Sequence, residues 1–271
     1  MDNTEAIQKF YNADPDYEDD RLDRHQLEFD MTWRYMDQFL PESGHILEVG
    51  AATGKYTVGL AKRGYQVTAV DMSTGLLKMC HATLAQEKLL DSVDLIEADA
   101  RDLSKIKKQD FDAVLLMGPL YHLFSEDERK HALQESLAHL RPGGVLFSAH
   151  ISRFGIMGNI IRMDPTLIMD KQAFDALINQ GFILREKAHS GFHGYFATVP
   201  EIIPLHESVG LETIVLAGIE PGISDDDESY NKLEGKQREQ WLHLFYEMST
   251  MPSVIGASRH LLYVGQKPKH N

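Results

Sequence analysis

The chain has 271 residues, 43% of them hydrophobic and 25% charged, enough to bury a core in one ordinary globular domain or in one domain with a large insertion. Its 27 Lys and Arg against 41 Asp and Glu leave a formal charge of −14, with no basic patch to offset it, which disfavours DNA, RNA and anionic membrane surfaces as partners. The single cysteine, Cys80, excludes an intrachain disulfide framework and any cysteine-based zinc cluster.

The N-terminus, Met1 to Phe10, lacks the basic start and apolar run of a signal peptide. No run of about 18 apolar residues follows anywhere, so a cytoplasmic location is expected. An acidic stretch from Asp14 to Asp23 leads into a helical pattern on Leu27, Met31, Tyr35 and Leu40, which Pro41 to Gly44 ends.

From His45 the chain alternates short apolar runs with amphipathic segments, the sign of βαβ units and a parallel sheet. Strands are expected at 45–49, 66–70, 93–97, 111–117 and 145–149. Helices are expected from Tyr56, over 73–89 and over 126–140, the last stopped by Arg141-Pro142-Gly143-Gly144. Between about 150 and 198 the rhythm loosens into an insertion. Regularity then returns with a helix over 200–209, a strand over 210–217, a helix over 232–248 and a last strand over 260–264. Residues 1–44 are read as a helical segment covering the site, and 45–271 as the catalytic domain.

In such a sheet ligands bind beyond the carboxyl ends of the strands. After the first strand stands Glu48-Val49-Gly50-Ala51-Ala52-Thr53-Gly54-Lys55, where Gly50 and Gly54 permit a tight turn and a close backbone approach. A dinucleotide fingerprint requires Gly-x-Gly-x-x-Gly, and only Gly50 fits that register; a P-loop fails because Tyr56 follows Gly54-Lys55. The second strand ends in Asp71-Met72, with an acid placed to accept hydrogen bonds from ribose hydroxyls. The third is followed by Asp99-Ala100, and the fourth by Met117-Gly118-Pro119-Leu120-Tyr121-His122.

This array resembles the class I S-adenosylmethionine-dependent methyltransferases, whose first motif is an acid followed by Gly-x-Gly-x-Gly. Glu48, Gly50 and Gly54 match, and Ala52 replaces the middle glycine, so the backbone there is not expected to use glycine-only angles. The likeness extends from about Asp20 to Lys267 and is closest to bacterial small-molecule enzymes with a Gly-Pro-Leu-Tyr-His-Leu loop and an Arg-Leu-x-Arg-His segment, here Arg21 to His25.

The resemblance implies a Rossmann-like, seven-stranded, mostly parallel sheet with helices on both faces and an antiparallel last strand. The cofactor it implies is S-adenosylmethionine, released as S-adenosylhomocysteine. Glu48, Gly50, Ala51, Gly54, Asp71, Met72, Asp99, Ala100 and Met117 would contact it, and Arg24 would close over its carboxylate unless it only braces the N-terminal helices. Asn/Asp-Pro-Pro-Tyr/Phe, used to methylate amino groups of bases or glutamine, is absent, which favours a small-molecule acceptor.

If the acceptor arrives protonated, His122 is the candidate base, since an imidazole pKa of about 6.5 suits proton transfer near neutrality. The other reading of His122 is a hydrogen bond to the cofactor's carboxylate. Tyr121 would orient the acceptor or face the sulfonium, its other reading being a ring that only packs. His150, His193 and Tyr195 are the candidate substrate contacts, from the insertion. No metal site is expected: His189 and His193 lack a third ligand and a dependable helix. A non-methylating nucleotide enzyme and a non-catalytic cofactor-binding module remain the alternatives, and the chain is read as a monomer or homodimer.

Overall fold

The structure, a computed structural model, describes residues 4–13, 15–182, 194–221 and 227–269. Four helices open it: α1 (Thr4–Ala13), α2 (Pro15–Asp19), α3 (Arg21–Arg24) and α4 (Gln26–Phe39). The alternating body follows: β1 (His45–Val49), α5 (Lys55–Lys62), β2 (Gln66–Asp71), α6 (Thr74–Glu87), β3 (Val93–Glu97), β4 (Phe111–Leu116), α7 (Glu126–His139) and β5 (Leu140–Ser152). Next come α8 (Met157–Met163), α9 (Lys171–Gln180), β6 (Phe196–Ala197), α10 (Val199–Glu207), β7 (Glu212–Gly218), α11 (Asp227–Asn231), α12 (Gly235–Met248), α13 (Pro252–Ala257) and β8 (His260–Gln266).

The sheet order is β3-β2-β1-β4-β5-β8-β7. β1 to β5 pair in parallel, while β8 runs antiparallel to both β5 and β7. This is the expected seven-stranded path, with the two-residue β6 added alongside β5. The chain reverses direction across the sheet between β1 and β4, which opens a crevice at their carboxyl ends.

Strands covered on both faces read as continuous apolar runs. Alternation along them divides the core in two. Ile46, Ala69, Leu115 and Phe147 face Leu27, Met31, Leu60 and Phe245 of α4, α5 and α12. Leu47, Val70, Leu116 and Leu146 face Leu133, Leu137, Ile202 and Leu205 of α7 and α10. A third, smaller cluster joins Ile151, Ile156, Leu167, Leu177 and Phe196 beneath Tyr121.

One boundary differs from the expectation. The Arg141–Gly144 turn does not separate α7 from the strand: β5 already begins at Leu140. Leu140 pairs with Phe111 and Val145 with Ala113, so the intervening residues form a bulge, and Gly143 takes φ +74° within it. No helix among the described residues is long and apolar enough to cross a membrane.

Candidate active site

β1 delivers its chain into the crevice through Gly50, at φ +86°. A Cβ on Gly50 would lie 2.7 Å from the Met117 carbonyl oxygen and 2.6 Å from Pro119 Cδ, so the turn after β4 closes directly against it. The Gly50 and Ala51 N–H groups donate to the Val70 carbonyl at 2.8 and 3.0 Å. Ala52 corrects the sequence reading: it sits at φ +49°, in the left-handed region that the missing glycine would have occupied. The Ala52 N–H donates to Asp71 Oδ2 at 2.9 Å, so a carboxylate from β2 holds the strained turn in place.

Asp71 Oδ1 accepts from the Ser73 N–H at 2.8 Å. Burial raises the Asp71 pKa, against these hydrogen bonds to its charged form. Glu48 accepts from the Thr57 hydroxyl and is 1% exposed; burial pushes its carboxyl up to about 8.

Asp99 is clamped by Arg101, whose Nε reaches Oδ1 at 3.0 Å and whose Nη2 reaches Oδ2 at 2.7 Å. The same guanidinium holds Glu128 of α7 at 2.8 Å and the Thr4 hydroxyl of α1 at 2.6 Å. Its place in the motif, two residues after Asp99, carried no signal of that role.

After β4, Gly118 at φ +127° starts a single tight helical turn, Pro119–His122. Tyr121 and His122 from that turn line the crevice. His122 Nε2 lies 2.8 Å from the Tyr11 hydroxyl of α1, and the Tyr121 and His122 ring centroids are 4.9 Å apart. Burial raises the Tyr121 hydroxyl pKa, with Arg21 opposing and Glu18 and Glu28 adding to the rise.

These groups line one cavity of about 1300 Å³ measured out to its open mouth. It brings together Glu48, Gly50, Ala51, Asp71, Met72, Asp99, Ala100, Met117, Tyr121 and His122. Gly54 stands behind the wall as the N-cap of α5, where a Cβ would meet Cys80 Sγ at 2.4 Å.

Three expected residues lie elsewhere. Arg24 does not line the cavity; Arg21, from the other end of the one-turn α3, does. His150 shares a face of β5 with Ser148, 3.3 Å from its hydroxyl and edge-on to His206, while the intervening Ala149 faces the cavity. Tyr195 is buried under the Arg129 guanidinium, 3.6 Å from its ring, and donates its hydroxyl to Glu201. His193, with His189, lies outside the described residues.

The wall also holds groups that the sequence reading missed: Tyr11, Glu18, Arg21, Glu28 and His260. Arg21 Nη1 meets both Glu28 oxygens at 2.9 and 3.1 Å. Glu28 lies 3.4 Å from His260 Nδ1, which is 2.8 Å from Glu220. Glu220 pairs with Arg259, Arg259 with Asp227 at 3.1 Å, and Asp227 with His25 at 2.8 Å. Arg259 and Glu220 are each 1% exposed.

A methyltransferase-domain family model matches residues 46–144, from β1 to the Gly143–Gly144 bulge. Over 191 residues the chain is 28% identical to a ubiquinone biosynthesis O-methyltransferase of Coxiella burnetii, covering 69% of this chain and 71% of that one. It is 29% identical over 128 residues to YqeM of Bacillus subtilis, named as a methyltransferase, covering 46% and 49%. The chain thus spans about half the length of the first curated relatives it matches.

In fold it is similar to the Burkholderia thailandensis 1,6-didemethyltoxoflavin-N1-methyltransferase solved with S-adenosylhomocysteine. The TM-score is 0.58 at 17% identity, over 97% of this chain and 88% of that one. Residues 46–144 thus carry a methyltransferase domain, on the fold shared by S-adenosylmethionine-dependent methyltransferases.

The cofactor of a class I methyltransferase fits this cavity on the chemistry of its donor set: the carboxylates of Asp71, at the end of β2, and Asp99, after β3, face a space bounded by the Gly50–Ala51 backbone.

Proposed function

We propose that the chain is a class I methyltransferase that binds S-adenosylmethionine in the cavity and transfers its methyl group to a small-molecule acceptor. The observation that carries the reading is the convergence of Gly50, Asp71, Asp99 and the Tyr121–His122 turn on one cavity. When bound, S-adenosylmethionine supplies a sulfonium methyl carbon open to in-line attack, its carbon–sulfur bond breaking with the electron pair left on sulfur.

Asp71 receives the ribose hydroxyls: each oxygen already accepts one backbone N–H and keeps further lone-pair capacity. Asp99 and Ala100 face the adenine edge and Met72 its plane. Met117 lies beneath the reacting centre. Arg21, in place of Arg24, meets the methionine carboxylate. His122 takes the acceptor's proton, its ring held by the Tyr11 hydroxyl, and Tyr121 orients the acceptor. Helices α1 to α3 cover the site, while the insertion after β5 supports Tyr121 from below. With water excluded, alignment rather than a covalent intermediate supplies the acceleration.

Calorimetric titration with S-adenosylmethionine, S-adenosylhomocysteine and NAD tests this. Micromolar binding of the two sulfur ligands is expected, none for NAD, and a loss of about ten- to a hundredfold in Asp71→Asn. Preference for NAD, or no binding of either sulfur ligand, would overturn it.

A further inference from the structure

The acceptor end of the cavity carries chemistry of its own, on the reading that the cofactor occupies the Gly50–Asp71 end. Beyond Tyr121 the wall is built by Glu18, Arg21, Glu28 and His260. Arg21 is shared between two carboxylates, with Nε 3.2 Å from Glu18 and Nη1 on both oxygens of Glu28. Behind them Glu220 adds a third, and the nearby Arg259 is already committed to Glu220 and Asp227. Arg21 answers both wall carboxylates, while His260 is shared by Glu28 and Glu220 and Lys55 by Asp19 and Asp23, so a cofactor carboxylate drawing on Arg21 leaves Glu18 undercompensated.

Two further observations point the same way. Tyr11, Tyr56 and Tyr121 line this end, and aromatic rings attract cations when water is excluded. The Tyr56 hydroxyl is buried, in a residue 5% exposed, and has no hydrogen-bond partner among the described residues. A buried oxygen left without a partner costs free energy that a ligand N–H recovers. A carboxylate or phosphate acceptor would instead meet the two glutamates at close range.

We infer that the methyl acceptor is a small primary or secondary amine, held as its ammonium between Glu18, the Tyr56 hydroxyl and the Tyr121 ring. One N–H bond of the ammonium breaks, the proton passing to His122 and the electron pair staying on nitrogen for the displacement. The methylated product leaves as an ammonium.

Titration of the full chain saturated with S-adenosylhomocysteine tests this, using benzylamine, benzyl alcohol and benzoate, which share a ring and differ in charge. Benzylamine is expected to bind at least about tenfold more tightly than the other two. Glu18→Gln should erase most of that preference, and Tyr56→Phe should weaken benzylamine by about threefold or more while benzoate is unmoved. Equal affinities or a preference for benzoate would overturn the inference alone, since S-adenosylhomocysteine binding would still stand. Failure to bind S-adenosylhomocysteine would overturn the cofactor reading and this one with it.

Discussion

Ala52 shows how a single side chain records the demands of the turn around it. A non-glycine residue held at positive φ costs roughly 1–3 kcal/mol, and the bond from its N–H to Asp71 keeps it there. Ala52→Gly should therefore raise the unfolding free energy by about 1 kcal/mol, after allowing for the freer unfolded chain; urea denaturation reads this directly. Glu48 makes the opposite contribution. Burial keeps it protonated up to about pH 8 in the folded protein, whereas its ordinary value is 4.5. The folded state thus binds more protons across that window, so this residue's contribution to stability falls as pH rises from about 4.5 to 8. Glu48→Gln should remove the decline, seen as a flatter plot of unfolding midpoint against pH.

Among the elements, α7 ties local sequence to the site. Ser125 and Glu128 form a reciprocal capping box, and Glu128 also anchors Arg101, which clamps Asp99. Ser125→Ala should cost about 1 kcal/mol of stability by urea denaturation. Between β5 and α10, His206 lies 2.7 Å from the Ser148 hydroxyl and stacks on Tyr263. Burial holds His206 down at about 4, and His150 well below its ordinary 6.5. The unfolded chain takes up protons that the folded one refuses, so stability is full above about pH 6.5 and is lost as pH falls towards 4. His206→Gln should flatten that acid arm in thermal melts. The strands and their order of function were legible because apolar runs end in chemically distinctive residues: Gly50, Asp71, Asp99 and His122 all line the cavity. His150 was not legible, because a strand buried on both faces carries no polarity pattern to show which parity faces the crevice. Ala149 faces it instead. Arg21 was hidden for a related reason: in a one-turn helix both arginines satisfy the same motif, and only the packing of α3 selects between them.

At the scale of the whole molecule, a charged chain fastens the N-terminal helices to the far edge of the sheet. It runs from Arg21 and Glu28 through His260 and Glu220 to Arg259, Asp227 and His25. Its members are separated by some 200 residues in sequence, which no motif scan joins. Arg259→Met would remove the guanidinium from the buried Glu220 and leave His260 to hold it, through its ring at 2.8 Å and its backbone N–H at 2.9 Å, and should cost about 3 kcal/mol by urea denaturation. The position of α1 has a different kind of consequence. Gln8 donates to the Met72 carbonyl at 3.1 Å, Tyr11 meets His122, and Thr4 meets Arg101, so one short helix bridges both ends of the cavity. If a ligand can pass only when these three contacts part, entry and exit share one helix as their gate, and stopped-flow mixing should give association rates at or below the ordinary range of about 10⁵–10⁷ M⁻¹s⁻¹.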